Sequence, residues 1–101
     1  MAAAQLDPVI HAPARLQICA LLSAVDEAEF ALIREELEVS DSVLSKHLKQ
    51  LEDAGYLRLR KATVSSRQRT WLSLTRAGRF AFRAHMAELQ RLAAGLKLAA
   101  E

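Results

Sequence analysis

Two serines and two lysines stand close together near the middle of the chain: Ser42, Ser45, Lys46 and Lys49. A hydroxyl donates and accepts hydrogen bonds, and an ammonium brings donors with a full positive charge. Such a set suits a polyanion: hydroxyls can bond phosphate or base edges, and lysines can meet phosphate or guanine. An α-helix turns about 100° per residue, so with Ser42 at zero the other three fall within roughly 60° of it. Leu44, Leu48 and Leu51 fall on the opposite side, near about 200°. One stripe can therefore dock on a core while the other faces outward. Asp53 lies at the far end of the polar stripe. His47 sits on its flank and reads as a half-buried support rather than a base reader.

A second basic group follows. Lys61 to Arg69 is polar and basic, and its centre carries Ser65, Ser66, Arg67 and Arg69. A basic hairpin tip beside a recognition helix can follow the DNA backbone or enter the minor groove. Arg67 is the leading contact there, with Arg69 beside it. The formal net charge of the 101 residues is only +2, but the distribution is uneven. Residues 1–40 hold two basic against seven acidic residues, and residues 41–83 hold ten against three. The middle of the chain thus has the charge to meet a polyanion.

Other chemistry finds little support. There are no paired carboxylates in a plausible cleft, no Ser/His/Asp or Cys/His set, and no glycine-rich phosphate loop, so no enzyme and no cofactor is expected. The lone Cys19 excludes an internal disulfide and lies among Leu16, Ile18, Leu21 and Leu22, as a buried, reduced thiol would. His11, His47 and His85 are scattered, which leaves metal binding unsupported. The start MAAAQLDPVIHAP has no basic stretch leading into a long apolar run, and no apolar stretch approaches the ~20 residues of a membrane span. A cytoplasmic protein without a membrane partner is expected.

The elements that must position these residues can be read from caps and periodicity. Asp7-Pro8 opens a short helical turn, with Asp7 as its cap. Pro13 restarts a helix that runs to about Val25, and Asp26 to Glu29 is a polar connector. Phe30 to Leu37 is a second, short helix. Ser40 caps a third, from about Asp41 to Ala54, which Gly55 ends. Leu57 to Arg60 and Thr70 to Leu74 alternate apolar and polar, as the strands of a hairpin do. Trp71 fits a core or an interface equally well. Thr75 then caps a long helix from Arg76 to about Ala100. In it Phe82, Met86, Leu89, Ala93 and Leu96 repeat as a heptad seam, which suggests pairing with a second copy. The whole reads as one domain, 1–101. It is mainly α with a small β-hairpin: a winged helix-turn-helix (30–55, wing 57–74) with a long C-terminal dimerisation helix at 76–100.

Three stretches carry a family resemblance: Pro13-Ala14-Arg15-Leu16 through Phe30; Ser45 to Tyr56, reading Ser-Lys-His-Leu-Lys-Gln-Leu-Glu-Asp-Ala-Gly-Tyr; and Arg69-Thr70 with Leu74-Thr75-Arg76-Ala77-Gly78-Arg79. In combination they resemble the short winged-helix transcriptional regulators related to the MarR and ArsR groups, over about Leu6 to Leu92. The resemblance implies a homodimer on double-stranded DNA, at a pseudo-palindromic operator. It implies DNA contacts at Ser42, Ser45, Lys46, Lys49 and Arg67. Two features depart from the pattern. The hairpin tip lacks the glycines common in such wings, and the clustered cysteines of metal-sensing ArsR relatives are missing. No small-molecule effector can be named. A winged-helix module for protein assembly, without sequence-specific DNA binding, is the alternative.

Overall fold

The computed structural model describes residues 5–100, with side chains as far as Gly95. The order is α1 (Pro13–Ser23), β1 (Ala28–Glu29), α2 (Phe30–Leu37), α3 (Asp41–Asp53), β2 (Leu57–Val64), β3 (Arg67–Leu74) and α4 (Arg76–Ala100). The strands form one antiparallel sheet in the order β1-β3-β2. This is a winged helix with a long C-terminal helix.

Local chemistry sets most boundaries. Asp7 Oδ1 accepts from the amides of Val9 and Ile10, which opens the first turn. Pro13 starts α1 with its fixed φ. Ser40 Oγ accepts from the Val43 amide at 3.2 Å and caps α3. Beyond α3, Gly55 takes φ +82° and the Tyr56 amide turns back to the Leu51 carbonyl at 2.9 Å. That left-handed stop favours glycine. Leu44, Leu48 and Leu51 of α3 pack with Ile18, Leu22 and Ile33 in a core that Leu57, Leu72 and Leu74 close from the sheet.

The sheet differs from the expected hairpin in two ways. Its strands reach to Val64 and from Arg67, so most of the expected loop from Lys61 to Arg69 is paired backbone. Past the core both faces of the ribbon are wet, so main-chain pairing continues where apolar alternation stops. The turn is only Ser65-Ser66, at φ 51° and 65°. Two left-handed residues match the twist of a two-residue hairpin turn, and serines fill it here in place of the usual Asn-Gly. The expected polar connector also hides β1, where Ala28 pairs with Leu72 and Glu29 with Trp71. Ala28 is buried.

One joint ties α3 to α4. The Thr75 amide donates to the Tyr56 carbonyl at 3.0 Å, and its hydroxyl donates to the Gly55 carbonyl at 2.6 Å. The same hydroxyl accepts from the Gly78 amide at 3.0 Å, capping α4. A Cβ on Gly78 would stand 2.1 Å from the Tyr56 oxygen, so only glycine permits this approach. The two glycines of the family-like pattern thus serve different ends, a left-handed turn at Gly55 and a close contact at Gly78.

Candidate nucleic-acid interface

The outer stripe of α3 is as the spacing predicts. Ser42, Ser45, Lys46 and Lys49 are all exposed, opposite the buried leucines. Asp41, in the first turn, accepts from Arg34 at 2.8 Å, which offsets its charge. Lys49 lies 3.4 Å from Asp53 in an exposed i,i+4 pair, while Lys46 has no ion-pair partner among the described residues. His47 is half-buried. The Arg15 guanidinium donates to its Nδ1 at 3.1 Å, and burial, with Arg15, lowers its pKa. It is a neutral brace between α1 and α3.

The wing has two unlike faces. On the outer face Arg60 pairs with Glu27 at 2.6 Å and lies over Trp71, 5.7 Å from the ring centre. Arg69 donates to Glu29 at 2.6 Å. The glutamates that flank and form β1 therefore hold these arginines. Arg69, expected as a DNA contact, is engaged in the sheet, whereas Arg67 at the tip is exposed and has no ion pair among the described residues.

The inner face continues the core side of the sheet outward. Leu57, Leu59 and Lys61 share one parity of β2, and Thr70 lies directly across from Lys61. Between this face and the start of α3 runs a groove of about 410 Å³, lined by Phe30, Asp41, Ser45, Leu59, Lys61 and Thr70. Lys61 has no ion-pair partner among the described residues. Lys61 is not among the contacts expected from the sequence. Strand parity counted outward from Leu57 and Leu59 puts it on the inner face, and is the signal that could have found it.

On α4, Phe82, Met86 and Leu89 are half-buried and Ala93 is exposed. The side chain of Leu96 lies outside the described residues. Phe80, on the other side of the helix, is 71% exposed. Among the described residues, no group of three or more His, Cys, Asp or Glu is placed to hold a metal, and no helix is long and apolar enough to cross a membrane. Cys19 is buried, and burial foremost pushes its thiol up to about 11, with Asp7 adding and Arg15 opposing. His11 and His85, which looked scattered in sequence, meet in the fold: Nδ1 of one lies 3.3 Å from Nε2 of the other.

Comparison with known proteins agrees with this geometry. The family profile described as winged helix DNA-binding domain matches residues 14–93. An uncharacterized protein of Methanocaldococcus jannaschii is 30% identical over 89 residues, covering 88% of this chain and 97% of its own. A transcriptional regulator homologue from Pyrococcus horikoshii superposes with a TM-score of 0.82 at 26% identity, over 87% of each chain. ZitR of Lactococcus lactis, a zinc-responsive MarR family member, shares the fold with a TM-score of 0.65 at 24% identity, over 97% of this chain and 67% of its own.

Proposed function

The chain belongs to the winged helix DNA-binding domain family, whose fold it shares with transcriptional regulators, and we propose that it reads a pseudo-palindromic operator as a homodimer. The observation that carries this reading is the exposed Ser42, Ser45, Lys46 and Lys49 stripe of α3, backed by buried leucines and bordered by the Lys61 groove. In this reading α3 enters the major groove. Lys46 and Lys49 meet phosphate or guanine, and Ser42 and Ser45 bond phosphate or base edges. Lys61 grips the backbone strand between α3 and the wing. Arg67 reaches along the next stretch of backbone or into the minor groove. Arg69 buttresses β1 against the wing.

The α4 seam of Phe82, Met86, Leu89, Ala93 and Leu96 pairs with a second copy. A dimer would set two α3 helices about 34–36 Å apart, one turn of B-DNA. A DNA partner and a lone buried thiol suit the cytoplasm.

Selection of random duplex DNA on the purified protein, at two salt concentrations, tests the proposal. An inverted repeat with half-sites about one turn apart supports it. Binding without any recovered motif, lost at moderate salt, overturns sequence reading. It leaves a basic surface suited to an acidic protein partner.

A further inference from the structure

Among the described residues His85 is the buried polar side chain, 1% exposed, and both of its ring nitrogens are engaged. The Asp7 amide donates to its Nδ1 at 3.1 Å. A backbone N–H cannot accept, so Nδ1 carries no proton and Nε2 must carry it. Nε2–H then donates to His11 Nδ1 at 3.3 Å. This arrangement requires both rings to be neutral, because a proton added to either one faces another donor. The same segment is tied to the α3–α4 joint. Tyr56 O–H donates to Asp7 Oδ2, while the Tyr56 carbonyl receives the Thr75 amide.

We propose that the His11–His85 contact is an acid-released latch, which holds residues 5–11 on α4 and, through Asp7 and Tyr56, steadies the joint between α3 and α4. The coupling to DNA affinity rests on the reading of α3 as the DNA-binding helix.

The charged and titratable groups around the latch come from each neighbouring element. Asp7 and His11 come from the segment before α1, Cys19 and Arg15 from α1, and Tyr56 from the turn after α3. Glu88 lies one turn further along α4, paired with Arg91. Burial, then His11, lowers the His85 pKa, and the Asp7 carboxylate opposes them in part. A histidine with a folded value below its ordinary 6.5 gives full stability above that pH. As pH falls through 6.5 toward the folded value, the closed state loses up to about tenfold in population per pH unit.

Hydrogen exchange of the intact protein from about pH 7.5 to about pH 5, corrected for intrinsic rates, reads the latch without DNA. The amides of Asp7, Val9, Ile10 and His11 should lose protection by up to about tenfold per unit as pH falls from about 6.5 toward the folded value of His85, while the Leu72 amide stays protected. A flat profile at residues 7–11 overturns the latch. His85→Asn keeps an acceptor near the Nδ1 position without titrating, and should flatten the acid loss. Should that variant not fold, the wild-type profile alone still decides. Duplex affinity is measured on both proteins over the same range, since titration of His47 on α3 acts on both alike. Wild type should weaken relative to His85→Asn as pH falls. An open segment with equal affinity changes in the two proteins overturns the coupling. Binding to no duplex at any pH overturns the DNA reading and leaves the latch standing on the exchange data.

Discussion

The two faces of the wing carry similar basic residues but keep them in opposite states. On the outer face Arg60 and Arg69 lie within 2.6 Å of Glu27 and Glu29, and Arg60 also covers Trp71. On the inner face Lys61 stands across from Thr70, in a groove it shares with Ser45 and the Arg34-paired Asp41 of α3, and it has no ion-pair partner among the described residues. A cation already matched by a carboxylate has less to gain from a phosphate than an open one. Counting basic residues therefore overstates the outer face and understates the inner one. The acidic first part of the chain folds over the basic middle at β1, and what remains open is the side that looks toward α3.

The contrast can be broken in several ways. The largest effect should come from α3 itself. Lys46→Ala with Lys49→Ala removes two exposed charges and should weaken duplex binding by about 2–4 kcal/mol, with an unchanged circular dichroism spectrum. Unchanged affinity would remove α3 from the interface. Next, Lys61→Ala should cost about 1 kcal/mol of binding and nothing in stability, because the phosphate contact proposed for it comes from an exposed side chain. Arg69→Ala should do the reverse. Its half-exposed ion pair with Glu29 contributes about 0.5 kcal/mol of folding stability, read as a small fall in denaturation midpoint, with binding nearly untouched. A large binding loss at Arg69 would erase the distinction between the faces. The smallest effect concerns the tip. Ser66 holds φ 65°, so Ser66→Gly should relieve a left-handed residue and stabilise the hairpin by about 0.3 kcal/mol, part of the relief being offset by the entropy of glycine in the unfolded chain.

Legibility in the sequence followed periodicity. The leucine and serine–lysine stripes of α3, its Ser40 cap and its Gly55 stop were readable because each is a local rule. The extent of the wing was not, since the ribbon beyond the core is wet on both faces and backbone pairing leaves no apolar pattern. β1 is two residues long, and Ala28 is a weak signal in a run of acids. Lys61 was within reach, because period-two counting from Leu57 and Leu59 puts it on the inner face. The pairing of Arg69 with Glu29, 40 residues apart, was not, nor was the meeting of His11 and His85, 74 apart. Such contacts depend on how helices and sheet assemble, and no local spacing encodes them.

The most direct test of the central claim is the salt dependence of duplex affinity for wild type, Lys61→Ala and Arg69→Ala on one fixed duplex. Each lost phosphate contact should reduce the slope of log K against log salt by about one unit. A slope reduced in Lys61→Ala and unchanged in Arg69→Ala is the predicted result. Equal slopes in all three, or a reduction in Arg69→Ala alone, would contradict the assignment of the inner groove as the DNA-facing side.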